Sequence, residues 1–543
     1  MPRYSVSLII KKQKGQVPLF LVTLLIVFSL IICLFCQYDT LREQLVINGD
    51  VNIYIPPIYS LQDHTLFAND LLTQYLLSRI TIGYIIFFLL LGKYFNLIFL
   101  VKVLPFILSV ISVIYFFLIG RNIIEDDKAA FLASFLFLLH CWTFYVFQGT
   151  GPRAFAYPLF LPFLYYLQKK KHLVCLCFYI LQILFYTPIA LISLFTFLLL
   201  NVKIENKKLC IMCPPFTLIL FFLALPFLYF FQFGSDLDKY FGPLVTWKQI
   251  LHMPEYHENG RDRLFFHSII PFLQSHRSGL NLNYSYLFLL VTLSSLVVLA
   301  RKIKYRFRLS EEIKALLISS LIVYFLAFIF LLKLFLPGRY LIFSIPIVIC
   351  ISIGVLLSGV FNHVGKRAAN NLIFSFSIIF INLIYAPMVT GKVQDYRYLG
   401  TALDYLSRLP KNSVIAAPLH MAEPIPTFSK RRVLFSHEAL LPFHLGYYTL
   451  VRQCTFDFFN AYYSDSLDPL RKFCAKYAVD YILFKRDDFS KDSLENVIYT
   501  EPFDSYIHAL IRGRRHFVIN NIEKNRIVFE QNGIVIIKTS DLR

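Results

Sequence analysis

The chain has 543 residues, of which 57% are hydrophobic, with a mean hydropathy of +0.61 and a formal net charge of +20. An ordinary soluble protein is about 45–50% apolar, and here the excess is concentrated in residues 17–388, in blocks of about 15–25 residues that are long enough to cross a hydrocarbon core as helices. The charge does not point to nucleic acid: Lys and Arg sit in short clusters between apolar blocks, as topology signals do, and from Met388 onward 21 Lys/Arg nearly balance 17 Asp/Glu.

Met1–Gln16 holds Arg3, Lys11, Lys12 and Lys14 and no acid, so the positive-inside rule predicts a cytoplasmic N-terminus. Val17–Cys36 is too long for a signal-peptide core and lacks a small-residue cleavage site, which predicts a first membrane anchor. Residues 37–95 form a first outer loop with Asp39, Asp50, Asp63 and Asp70. Its apolar stretch 80–91 is short for a crossing and is expected to lie at the interface or dip into the bundle.

Further crossings are expected at 96–119, 129–147, 157–168, 172–186, 188–201, 209–231, 285–300, 315–334, 340–360 and 371–387, about eleven in all. The inner segments then carry 20 Lys/Arg in 56 residues, whereas the large outer loop 232–284 balances five bases with five acids. An odd number of crossings puts residues 389–543 outside, leaving 1–388 as the membrane domain.

In the C-terminal part, Tyr396–Leu409 reads as a helix and Asn412–Pro418 as a buried strand. Leu470–Tyr477, after Asp468-Pro469, reads as a second helix and Val479–Phe484 as a second strand. Arg526–Lys538 reads as a hairpin turning at Asn532-Gly533. Alternating helix and strand predicts an extracytoplasmic α/β domain with some parallel sheet. Cys454 and Cys474 lie in this part and would be free to pair outside the cell.

Ionisable groups at the outer face are the first candidates for chemistry, because charge beside lipid is costly. Asp39, Asp63 and Asp70 suit general-base work or a divalent cation such as Mg or Mn; as helix-capping residues of a solvated loop they would be ordinary. Arg153 in Gly149-Thr-Gly-Pro-Arg153 and Arg339 in Leu336-Pro-Gly-Arg339-Tyr340 stand at outer mouths, where Gly and Pro open the backbone. Their planar forks suit a phosphate, the competing reading being snorkelling to the interface. Tyr340 joins Arg339 in that candidate site, though it also fits an aromatic belt. His252, His257, His267 and His276 lie in the large outer loop without a tight metal-binding pair, and Cys210-Ile-Met-Cys213 is a lone CxxC; neither makes a confident metal site.

The whole pattern resembles the GT-C membrane glycosyltransferases. Gly120-Arg121-Asn-Ile-Ile followed by AAFLASFLFLL looks like the second and third spans of that family. GTGPRAFAYPLFLPFLYYL sits where the family has its short second outer loop, and LPGRYLIFSIP is similar to its RY…P stretch. YLGTALDYLSRLPKNSVIAAP and KYAVDYILF resemble the outer domain of many members.

The resemblance implies an α-helical polytopic enzyme that moves a sugar from a polyprenyl-phosphate donor to a glycan, lipid or protein acceptor on the extracytoplasmic side, here expected in a bacterial inner membrane. Two departures stand out. Asp39 is followed by Glu43 rather than by an adjacent acid, and the second outer loop holds Arg153 and no acid. The rival readings are a flippase or transporter for lipid-linked glycans, which asks for repeats and charges at mid-membrane depth (only Lys102 and Lys333 qualify), and a non-catalytic scaffold.

Overall fold

The computed structural model describes residues 16–144, 146–205, 208–226, 237–275, 277–280, 282, 284–305, 307–330, 333–334, 336–364, 393–514 and 516–542. The expected crossing at 371–387, the latter part of 209–231, most of the N-terminal basic segment and His276 lie outside these residues.

The membrane part is built from α1 (Leu19–Cys36), the short α2 (Tyr38–Arg42), α3 (Val51–Gln62), α4 (Leu71–Ser78), α5 (Ile82–Leu91), α6 (Leu97–Ile123), α7 (Asp127–Thr143), α8 (Ala156–Gln168), α9 (His172–Phe185), α10 (Thr187–Asn201), α11 (Pro215–Leu223), α12 (Tyr284–Lys302), α13 (Glu311–Ile329) and α14 (Ile345–Val364). Among the described residues, four helices are each long and apolar enough to cross a membrane: Leu19–Cys36, Leu97–Ile123, Glu311–Ile329 and Pro337–His363. Helices α4 and α5 meet at a 111° bend, as in a broken span or a re-entrant loop. Gly83 permits this bend to seat: a Cβ there would stand 2.7 Å from the Leu184 carbonyl of α9.

Local chemistry sets the helix starts. Asn96 accepts from the amides of Ile98 and Phe99 to begin α6, and Asp126 accepts from Ala129 to begin α7. Lys102, buried on α6, donates to the carbonyls of Glu43 and Gln44 at 2.8 and 3.2 Å, which holds the start of the first outer loop against α6.

The C-terminal part is a mixed five-stranded sheet. Its strands are β5 (Val414–Ala416), β6 (Arg432–Val433), β7 (Tyr481–Lys485), β8 (Ile527–Gln531) and β9 (Ile534–Lys538), in the order β6-β5-β7-β9-β8. β5 runs parallel to β6 and β7, and β9 runs antiparallel to β7 and β8. The hairpin turns at Asn532-Gly533, both with positive φ, as the Asn-Gly pair requires. Helices α15 (Gly400–Ser407), α16 (Leu445–Tyr462) and α17 (Leu467–Lys476) pack on the sheet in one core that includes Ile482, Leu483, Phe484 and Val535–Ile537. Helix α17 starts three residues earlier than expected, after Ser466, so Pro469 falls within its first turn. Cys454 and Cys474 are both buried free thiols.

Two seams fix this domain to the membrane part. β1 (Val46–Asn48) pairs antiparallel with β4 (Val393–Asp395), the strands β2 (Val202–Glu205) and β3 (Lys208–Ile211) forming a separate hairpin. Behind β1, Asn52 donates to the Tyr396 hydroxyl at 3.0 Å and accepts from the Thr427 hydroxyl at 2.5 Å, all buried. The second seam is aromatic: Tyr75 of α4 stacks on Tyr447 at 3.6 Å between centroids and its hydroxyl meets Nδ1 of His444 at 3.0 Å. Asn52→Ala strands two buried hydroxyls and is expected to cost about 1–3 kcal/mol, read as a fall in the thermal midpoint of the detergent-solubilised chain; an unchanged midpoint would mean that the first seam does not hold the domain.

Candidate functional site

A cavity of about 510 Å³ opens where the two seams and the large outer loop converge. Among the described residues, its charged lining comprises the guanidiniums of Arg79, Arg153, Arg261, Arg277 and Arg339 and the carboxylates of Asp50, Asp262 and Glu438. Ile53, Leu76, Ile80, Ile82 and Ile85, from α3 to α5, make one apolar wall.

Glycines bring the arginines in. Gly149 has φ of +72°, and a Cβ there would stand 2.5 Å from the Asn48 side chain; one at Gly151 would stand 2.4 Å from the Tyr54 ring. The segment Gly149-Thr-Gly-Pro therefore lies flat on the first outer loop, and Arg153 reaches Asp50 at 2.5 Å. Gly279, with φ of +79°, packs against the turn that carries Arg339, a Cβ there standing 2.9 Å from the Gly338 carbonyl. Arg277 and Arg339 thus face the cavity side by side.

The large outer loop is tied to the C-terminal domain. Val245 donates to the Phe443 carbonyl, Leu445 to the Pro243 carbonyl, and the Tyr256 hydroxyl to the Pro442 carbonyl. Buried Glu255 takes the Tyr448 hydroxyl at 2.7 Å and Arg452 at 2.8 Å. Arg261 pairs with Glu438 at 2.9 Å, and Arg277 with Asp262 at 2.7 Å. Burial pulls the Arg277 guanidinium below its ordinary range, a demand that the Asp262 carboxylate offsets only in part. Burial likewise lifts Glu438 above the usual carboxylate range, against the pull of Arg261.

The sequence candidates divide. Arg153 and Arg339 line the cavity together. Tyr340 does not: it is fully buried, and its hydroxyl donates to the Leu334 carbonyl, closing the turn that presents Arg339. None of Asp39, Asp63 and Asp70 lines it. Asp39 is exposed on α2, on the side of Arg397. Asp63 closes a turn with Thr65 and accepts from Lys411 at 2.7 Å, and these hydrogen bonds, led by that of Lys411, hold its carboxyl far below the usual range. Asp70 caps α4, accepting from the Thr73 amide and hydroxyl at 2.9 and 2.6 Å. The first-loop carboxylate in the cavity is Asp50.

His257 stacks on Phe265 and its Nε2 meets the Leu251 carbonyl, while His267 pairs with Glu258. Among the described residues, no group of three or more His, Cys, Asp and Glu is placed to hold a metal ion.

Behind Glu438 lies Glu423, fully enclosed, whose Oε2 accepts from the Glu438 amide at 3.0 Å. Burial first, and the Glu438 carboxylate second, push Glu423 up to about 8 from 4.5. The folded protein therefore binds this proton more tightly than the unfolded chain, and the stabilisation it gives is lost as pH rises from about 4.5 to beyond about 8. The thermal midpoint is expected to fall between about pH 6 and about pH 9, and Glu423→Gln should flatten that slope and exceed wild type at the alkaline end. An equally steep fall in the variant would place the titrating group elsewhere.

No protein-family model and no curated protein sequence matches the chain. Among solved structures, it is similar to the archaeal oligosaccharyltransferase AglB from Archaeoglobus fulgidus in complex with an inhibitory peptide and a dolichol-phosphate. The identity is 11%, over 87% of this chain and 70% of that one, with a TM-score of 0.49. The Archaeoglobus fulgidus oligosaccharyltransferase in complex with Zn and sulfate aligns at 11% identity over 90% and 70%, with a TM-score of 0.48. A likeness of that size gives no residue-by-residue correspondence.

Proposed function

We propose that this protein is an integral membrane glycosyltransferase that takes a sugar from a polyprenyl-phosphate-linked donor and delivers it to an acceptor on the extracytoplasmic side. The reading has about eleven crossings, a cytoplasmic N-terminus, the C-terminal domain outside, and an envelope membrane such as the bacterial inner membrane. The observation that carries it is one cavity with an apolar wall on α3–α5, a surplus of arginine and a single first-loop carboxylate, which together suit a lipid chain, a phosphate and a reacting hydroxyl.

In this chemistry Asp50 accepts the proton of the acceptor hydroxyl as its oxygen attacks the anomeric carbon. The bond from that carbon to the phosphate oxygen breaks, and its electron pair stays on the leaving lipid phosphate. Arg153 and Arg339 meet the charge that develops there, in a cavity where water screens it little. Each of the three described cavity carboxylates is engaged by an arginine, so a divalent cation such as Mg or Mn bound there would share them with the guanidiniums.

The test is release of free lipid phosphate from radiolabelled polyprenyl-phosphate sugars by purified protein in lipid. Asp50→Asn is expected to lower release by about 10²–10⁴-fold, and Arg339→Ala to weaken donor use far more than it lowers folded yield. Asp63→Asn, which disturbs a surface turn and the exposed ion pair with Lys411, should stay within about twofold of wild type. Full activity in Asp50→Asn would remove Asp50 as the base.

A further inference from the structure

A second cavity, of about 470 Å³, lies in the C-terminal domain and, among the described residues, shares no lining with the first. It sits at one end of the five-stranded sheet. The parallel strands β5 and β7 point their carboxyl ends toward it, and the β8–β9 turn lies at the same end, Lys485 of β7 pairing with Ile534 of β9. From β5 the chain goes first to β6 on one flank and then to β7 on the other. Where connections from parallel strands part to opposite sides in this way, they leave a crevice beyond the strand ends, and sheets of this kind bind ligands there.

The lining is mixed. Tyr398 offers a ring that is 46% exposed. With it stand Arg397 before α15, His420 after β5, Lys485 and Asp488 at the end of β7, and Asn532 at the hairpin turn. The charges are already matched: Arg397 pairs with Asp395 at 2.6 Å and Lys485 with Asp487 at 3.0 Å, while Asp488 takes the Tyr462 hydroxyl at 3.1 Å. A phosphate or carboxylate entering here would find no surplus of positive charge and would face Asp488. Hydroxyl groups meet no such obstacle, because each both donates and accepts. Arg397 and Lys485 supply donors, Asp488 supplies acceptors, and Asn532 and a neutral His420 supply both. Ion pairs as exposed as these two are weak enough for a ligand to share. The Tyr398 ring adds an apolar face beside that polar set.

We propose that this cleft binds an uncharged saccharide, its C–H face on Tyr398 and its hydroxyls on the surrounding polar groups. The inference does not depend on a lipid-linked donor; under that reading the occupant is a glycan acceptor.

The experiment is ligand-observed NMR on the full chain in nanodiscs, without donor, using maltotriose, cellotriose, mannotriose and inorganic phosphate as probes. At least one trisaccharide is expected to bind with a Kd of about 1 mM or tighter, and phosphate is expected not to displace it. Tyr398→Ala and Arg397→Gln, both at exposed side chains, should each weaken that binding about tenfold or more at an unchanged thermal midpoint. If Tyr398→Ala lowers the midpoint, Arg397→Gln decides. Asp50→Asn, in the first cavity, should bind the trisaccharide as wild type does. Binding of no trisaccharide, binding indifferent to both cleft variants, displacement by phosphate, or loss of binding in Asp50→Asn would each overturn the proposal. Release of lipid phosphate is read separately, so the cleft can fail while the transferase reading stands, and the reverse.

Discussion

Charges enclosed in a folded chain have to neutralise one another, and that constraint organises this molecule. Asp50 and Arg153 join the first outer loop to the second, and Glu438 and Arg261 join the C-terminal domain to the large outer loop. Asp262 and Arg277 close the large loop on itself. Such pairs add little net stability, because desolvation cancels much of their attraction, yet removing one partner leaves a buried charge exposed to its full penalty. The parts of the chain are therefore locked in the arrangement that keeps every pair intact, and the cavity is the space those pairs surround.

Packing rather than charge sets the distances. Gly149, Gly151 and Gly279 lie where a single methyl group would collide with Asn48, Tyr54 and the Gly338 turn. Tyr340 does similar work from the other side, its hydroxyl pinned to the Leu334 carbonyl so that the Pro337–Tyr340 turn presents Arg339. The five-stranded sheet lies away from the cavity but carries the segment 434–444, whose Glu438, Leu441 and Phe443 form one wall. Asn52, hydrogen-bonded to Tyr396 and Thr427, holds that wall over the helix that bears Tyr54.

How much of this could be read from the sequence depended on whether a residue's role was local. The Asn532-Gly533 hairpin and the strand at 481–485 follow from short-range pattern and both appear, and among the described residues four of the apolar blocks form helices long enough to cross a membrane. Arg153 and Arg339 were legible because Gly and Pro beside a lone base at a helix mouth are a local signal. Asp50 was not. Beside Asn48 and Gly49 it looks like any turn residue, and its partner is more than a hundred positions away. Asp39 drew attention by following the first span, Asp63 and Asp70 by clustering, but the latter two are absorbed by Thr65, Lys411 and Thr73. Arg261 and Arg277 were hidden by their own loop, whose five bases and five acids balance in sum while facing different ways. Helix α16 and the two-residue β6 carry no such local signal either, the first because Tyr, Phe and polar residues alternate along it without a clean apolar stripe, the second because its partner β5 is distant in sequence.

The Asp50–Arg153 pair bears on timing as well as on place. An ion pair at 2.5 Å occupies the Asp50 carboxylate and leaves less of it open to an acceptor hydroxyl. Under the proposed chemistry, a donor phosphate entering beside Arg339 would compete with Asp50 for the same planar fork. As Arg153 turned toward the phosphate, the carboxylate oxygen it held would be released to accept from the acceptor hydroxyl. The base would then be freed when the leaving group is already held, and water reaching the cavity without donor would meet a carboxylate still occupied by arginine. One guanidinium shared between base and leaving group would thus link the two halves of the transfer, which two independently satisfied pairs would not do.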